Sequence, residues 1–348
     1  MFSKTPLAVR ALGVGAVLFG LAACQPVATV PGNGSIPGNG GAPAPTVAPT
    51  TTTAPPTTTT TTTAPASTTT TAVPAPSGWK LVGGDEFNDS TLDTSKWKPY
   101  HNNYGAGNLE LECNTPSNVA EGGGSLKITA KKQTVACPNA GTYNYTSGFV
   151  GSRDVNKYYP RYARFEMRAK LPHAQGLWPA FWLRHRNGAG TAEVDVMEYF
   201  HAQAPGTTSQ TLHLDGVSNL SKKATAFEAP TTTPAFHTWA VEILPEGSSV
   251  RFNFYVDNVK VHTFADTKHA WTSADASGTW DMALNLAVGG RWTGNPDGTL
   301  GYLDLLNRCS ISGTAPSGCT TTGIKRVNWA NPATSTYEID YVRVYTPA

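Results

Sequence analysis

Six residues, Glu193-Val194-Asp195-Val196-Met197-Glu198, gather three carboxylates inside the otherwise apolar run AEVDVMEYF. Its β-branched and aromatic residues, with no helix cap, predict a strand. Strand side chains alternate between faces, so Glu193 and Asp195 share one face and Glu198 falls on the other. Acids gathered on a strand are costly unless they are paired or do chemistry. Retaining glycoside hydrolysis needs two carboxyl groups only about 5–5.5 Å apart, a separation that same-face neighbours supply. An acid between them would share a proton or hydrogen-bond and push their acidities apart. A solvated acidic face is the plain alternative. A calcium loop is another, but this run has neither the mid-loop Gly nor the loop character such a site needs. One extra residue, Val196 or Met197, absorbed by a β-bulge would return Glu198 to the face of the other two.

Aromatic residues flank the acids. The chain has nine Trp, all beyond residue 78. Most are expected in the core, but two runs argue for sugar contact. GLWPAFWLR places Trp178, Phe181 and Trp182 around a Pro just before the acidic strand, and NLAVGGRWTGNPDG places Trp292 in a Gly-rich loop. Aromatic faces cover the C–H faces of pyranose rings, while Asn, Gln, Arg and carboxylates bond the hydroxyls.

The elements that must position these residues read as short strands. In YARFEMRAKL, Ala163, Phe165, Met167, Ala169 and Leu171 alternate with Arg164, Glu166, Arg168 and Lys170. VRFNFYV, SLKIT, TWAVEIL and YEIDYVRVY follow suit, separated by turn signals such as Asp257-Asn258 and Pro296-Asp297-Gly298. No long 3.6-residue period is present. The pattern predicts an all-β fold, a sandwich or jelly roll of two curved antiparallel sheets with a concave substrate cleft.

The 348 residues divide by composition. Residues 1–23 have a short basic start (Lys4, Arg10) and an apolar stretch that reads as a signal-peptide core. Residues 24–77 are Cys24 followed by a Pro-, Thr-, Ala- and Gly-rich linker without a charged residue, which cannot pack a core. Fully extended, it would reach about 160 Å. Residues 78–348 suffice for one large β domain. The net charge of +2 shows no basic cluster, which argues against a nucleic-acid partner, and a monomer is expected. Cys113, Cys137, Cys309 and Cys319 make an even count, which favours disulfides in an exported chain. Three pairings are open; Cys113–Cys137 and Cys309–Cys319 are preferred because each closes a local loop. Zinc fits less well, with no C-x-x-C or clustered His.

Two resemblances sharpen these expectations. Leu21-Ala22-Ala23-Cys24 resembles a bacterial lipobox, which implies cleavage before Cys24 and a lipid anchor holding the protein to the outer face of the membrane; ordinary cleavage nearby, with secretion, is the alternative. EVDVME resembles the E-x-D-x-x-E signature of glycoside hydrolase family 16, in its laminarinase-like branch. WKLVGGDEFNDSTLDTSKW, NLELECNTPSNV, YTSGFVGSR, YARFEMRAKLPHAQGLWPAFWL, LNLAVGGRW and YEIDYVRVY are similar to that family's segments, in its order. The resemblance implies Glu193 as nucleophile, Glu198 as acid/base and Asp195 as the residue that tunes Glu193. It implies sugar contacts from Trp178, Trp182, Trp292, Asn108 and His213, although Leu214 and Asp215 follow that His where the family often has Gly and Pro. Catalysis would need no cofactor. A structural calcium would be held by Glu86, a backbone oxygen near Gly124, and Asp340. The extra Met197 is shared with laminarinases and with agar and carrageenan enzymes, not with lichenase or xyloglucan branches. A retaining endo-β-1,3-glucanase acting on β-glucan is therefore expected first. A galactan-active hydrolase, to whose sulfated substrate Arg153, Arg184 and Arg291 would contribute, a glucan transglycosylase and a non-catalytic glucan-binding module are the alternatives.

Overall fold

The computed structural model describes residues 75–186, 192–201, 204–214, 217–229, 233–266, 279–296 and 325–348. Residues 1–74, with the expected signal segment, Cys24 and most of the expected linker, and Asp215, Cys309 and Cys319 lie outside them. The alternating runs are strands, and the helices described are short 3-10 turns.

One sheet has eight strands. Its path is β17 (Val259–Asp266), β16 (Ser249–Val256), β15 (Phe236–Glu246), β10 (Ala163–Lys170), β19 (Thr336–Pro347), β5 (Leu126–Thr129) and β4 (Val119–Glu121), with β1 (Trp79–Asp85) also paired to β19. The other runs β14 (Val217–Ala226), β13 (Thr207–Leu214), β12 (Glu193–Tyr199), β11 (Leu177–His185), β18 (Trp280–Val288), β9 (Phe149–Gly151) and β2 (Lys98–Pro99). All pairs within these two sheets are antiparallel. Two small ladders join β3 (Glu112–Asn114) to β8 (Tyr145–Ser147) and β6 (Val135–Cys137) to β7 (Gly141–Tyr143).

The period-2 pattern sets which face is buried. Phe165 and Met167 of β10, Val241 and Ile243 of β15, Phe252 and Phe254 of β16, and Val342 and Val344 of β19 meet Phe181 and Leu183 of β11, Val194 and Val196 of β12, and Leu284 and Leu286 of β18 in one core. Truncating one such side chain to Ala costs about 2–5 kcal/mol. The expected Asp257-Asn258 turn closes the β16–β17 hairpin with both residues at positive φ, 48° and 63°, as a tight hairpin turn of matching twist requires.

Cys113 and Cys137 form a disulfide that ties β3 to β6 across a sequence separation of 24. A loop of this length contributes about 3 kcal/mol by restricting the unfolded chain. Beside it, the backbone N–H of Leu111 donates to the Val288 carbonyl at 2.7 Å, and that of Val288 donates to Glu112 Oε2 at 2.8 Å. The bond thus braces the segment that carries Asn108 against the end of β18.

Candidate active site

The acidic strand carries the expected bulge. Toward β11, Met197 pairs with Phe181 and Asp195 with Trp182, so Val196 has no place in the ladder. Toward β13, Asp195 pairs with Thr211 and Glu198 with Ser209, so two residues oppose Gln210 alone. Val196 and Met197 both turn into the core and are wholly buried. Glu198 is thereby returned to the outer face of the seven-stranded sheet, beside Asp195 and Glu193.

Partners on that face fix the three acids. Glu198 accepts from Trp178 Nε1 at 3.2 Å and from Thr211 Oγ1 at 3.4 Å. Asp195 Oδ2 lies 3.1 Å from His213 Nε2, on a side chain that is 43% exposed. Glu193 stands opposite Arg184 of β11 and His213 of β13. Burial pushes the Glu193 carboxyl above the ordinary range, while His213 and Arg184 pull it back. Oxygens of Glu193 and Asp195 and a ring nitrogen of His213 all lie within 4.8 Å of one another. Among the described residues this is the one group of three that could hold a metal.

The aromatic residues divide into two groups. Trp178, Phe200 and Trp292 form a row beyond Glu198, with ring centroids 5.1 Å and 6.5 Å apart. Trp182 sits deeper, only 8% exposed, donates from Nε1 to Asn285 Oδ1 at 2.8 Å, and packs against Phe149 and Tyr104. Tyr104 is 51% exposed and so offers the ring that Trp182 largely hides. Asn108 is exposed at the end of the 3-10 turn Tyr104–Asn108. Its side chain donates to Glu110 Oε1 at 3.2 Å, and its carbonyl accepts from the Arg291 N–H at 3.0 Å. That second bond joins Asn108 to the loop bearing Trp292. Gly289 opens this loop at φ 69°, where a Cβ would come within 2.6 Å of Leu111.

Phe200, Tyr104, Thr211 and Asn285 are additions to the sequence reading, and Arg184 takes a place beside Glu193 that the reading did not give it. Tyr104 carried the signal that singled out Trp292, a large aromatic in a Gly- and Asn-rich loop. Asn285 interrupts the apolar run LNLAV on the outward positions of β18.

Of the three residues expected to hold calcium, Glu86 and Asp340 each face an Arg. Both Glu86 oxygens accept from Arg343, at 2.7 and 2.8 Å, and Asp340 pairs with Arg168 at 2.5 Å. Gly124, at φ 78°, lies near Asn88 in the turn between β4 and β5. As placed, Glu86, Gly124 and Asp340 do not form a cradle that needs a divalent ion to balance it.

Residues 95–302 match the family described as Glycosyl hydrolases family 16. The chain belongs to that family. Catalysis in family 16 requires no cofactor. The chain is 31% identical over 301 residues to glucan endo-1,3-beta-glucosidase A1 of Niallia circulans, covering 78% of this chain and 38% of that protein. It is 32% identical over 234 residues to the beta-glucanase of Rhodothermus marinus, covering 62% and 78% respectively. The chain therefore spans well under half of the first relative and most of the second. The X-ray structure of endo-beta-1,3-glucanase from Pyrococcus furiosus superposes with a TM-score of 0.60 at 28% identity, over 78% of this chain and 95% of that one. The two-sheet sandwich is thus the jelly roll of family 16.

Proposed function

We propose that the protein is a retaining endo-glycosidase that cuts internal β-1,3 linkages of β-glucan. The bulge at Val196-Met197 carries this reading, because it sets Glu198 on one face with Glu193 and Asp195. In the first step a Glu193 oxygen attacks the anomeric carbon. The glycosidic C–O bond breaks as Glu198 gives its proton to the leaving oxygen. In the second, Glu198 takes a proton from water, whose oxygen attacks the same carbon and frees Glu193. Asp195, bonded to His213, tunes Glu193 between the steps. Trp178, Trp182 and Trp292 present rings to the sugar, and Asn108 and His213 contact hydroxyls. The β-1,3 preference rests on the similarity to the named glucanases and on the extra residue in the acidic motif.

Incubating the full chain with laminarin, barley β-glucan, agarose and κ-carrageenan, and measuring new reducing ends, tests the reading. The largest rate is expected on laminarin. No product from any of the four would favour a glucan-binding module. Early proton NMR of the product is expected to show β configuration, and an α product would overturn the double displacement.

Display of this domain on a tether, through a lipid on Cys24 and the linker to residue 77, belongs to the same proposal. A diacylglyceryl mass on the mature N-terminus is the result expected from mass spectrometry.

A further inference from the structure

Next to the acids lies a group of charges that the double displacement does not use. Arg184 ends the outward row of β11 and faces Glu193 across the ladder, at a spacing where side chains on one face touch. Its Nε and Nη2 both donate to Asp281 Oδ1, at 2.8 and 2.6 Å. Asp281, on the neighbouring β18, is wholly buried, and its other oxygen accepts from Arg153 Nε at 2.8 Å. The Arg184 guanidinium lies 5.1 Å from the Trp182 ring and 5.8 Å from the Phe149 ring. The Tyr100 ring stands beside it. Gly151 leaves room for this layer: a Cβ there would stand 3.1 Å from Arg184 Nη2 and 3.1 Å from the Tyr100 ring. Two Arg and one Asp leave one net positive charge, held rigidly at the side of Glu193.

We propose that Arg184 is a positioning residue for the hydrolysis, setting a fixed positive charge beside Glu193, and that Asp281 limits how strongly Glu193 feels it. The proposal rests on Glu193 being the nucleophile, which must be ionised to attack. Burial works against the Glu193 charge, and Arg184 and His213 are the groups that oppose burial. Burial also works against the Arg184 charge, but Asp281 and Tyr100 outweigh it, so Arg184 stays protonated throughout the working range. His213 is half-exposed, whereas Arg184 is held against Asp281 and supplies a charge that does not vary with pH. The other charged or titratable groups around Glu193 are Asp195 and Glu198 on its own strand, Asp281 on β18, and Arg153, Tyr100 and Asp154 beyond it.

This arrangement makes opposite predictions for two neighbours. Arg184→Met removes the charge, so the acid limb of kcat/KM on laminarin is expected to move up by about one pH unit. Asp281→Asn unmasks the charge, so the limb is expected to move down. Arg153→Gln, on a more exposed side chain, is expected to move it up by less, and decides the sign if Asp281→Asn does not fold. Arg184→Lys is expected to restore most of the wild-type limb. The same order is expected in 13C NMR titrations of the full chain labelled at Glu Cδ, with the Glu193 signal identified by its loss in Glu193→Gln. An acid limb and a Glu193 titration unmoved in Arg184→Met, or shifts of one sign in Arg184→Met and a folded Asp281→Asn, would overturn the proposal. So would a change confined to KM, which would make Arg184 a sugar contact. The NMR titration separates this outcome from a failure of the functional reading, since it needs no substrate.

Discussion

The outer faces of the two sheets treat acids in opposite ways. On the eight-stranded sheet, Arg164 bridges Glu166 and Glu242, Arg168 meets Asp340, and Lys170 meets Glu338, each within 3.0 Å. Cation and carboxylate alternate there, and burial is offset pair by pair. On the seven-stranded sheet three acids stand on a single strand with one His against them, and the nearest Arg is already bonded to Asp281. The first face is a solved electrostatic problem, and the second keeps its problem open. Carboxylates set side by side on a rigid strand can accept or give a proton when a substrate arrives, which balanced pairs resist.

The largest effect is expected from removing what holds the second face in this state. Deleting Val196 would straighten β12 and turn the Glu198 carboxyl toward the core. Burying it there costs several kcal/mol, and both hydrolysis and a cooperative melt at the wild-type Tm are expected to be lost. Glu193→Gln and Glu198→Gln keep the bulge, so each is expected to lower kcat by more than about 1,000-fold while circular dichroism stays unchanged. Glu193→Gln should also raise Tm at neutral pH. The folded pKa of Glu193 lies above its unfolded value, so this group takes stability away as pH rises from the unfolded pKa through the folded one. The gain in Tm should therefore vanish below the ordinary glutamate range, a point checked by melts across pH. Trp178→Phe removes one N–H from Glu198 and is expected to lower kcat/KM about 10-fold. The smallest effect belongs to the other face. Arg168 and Asp340 are 39% and 35% exposed, so Arg168→Ala is expected to cost under about 1 kcal/mol in denaturant melts and nothing in rate. A large loss there would erase the contrast between the faces.

What the sequence disclosed was what is local. The bulge is written in the spacing of Glu193, Asp195 and Glu198, because a period of two tolerates no extra residue without a break. The Cys113–Cys137 bond closes a short loop, and the strand alternation is read two residues at a time. What it withheld depends on strand order. Asp281 reaches Arg184 only because β18 lies beside β11, 97 positions earlier in the chain. Phe200 and Trp292 share a row across a similar gap. Arg343 likewise reaches Glu86 from 257 residues away, a pairing that spacing along the chain does not announce. Periodicity places a side chain on a face, but it cannot name the strand that comes to rest alongside.

The order of the eight-stranded sheet also constrains how the protein is made. β19, the final strand, lies between β10 and β5 and also pairs with β1. A nascent chain whose β19 is not yet made therefore holds an incomplete sheet with bare edges, whatever its earlier strands have done. Such a topology delays closure until β19 has been made. Removing Thr336–Pro347 would take out the middle of a sheet rather than an edge.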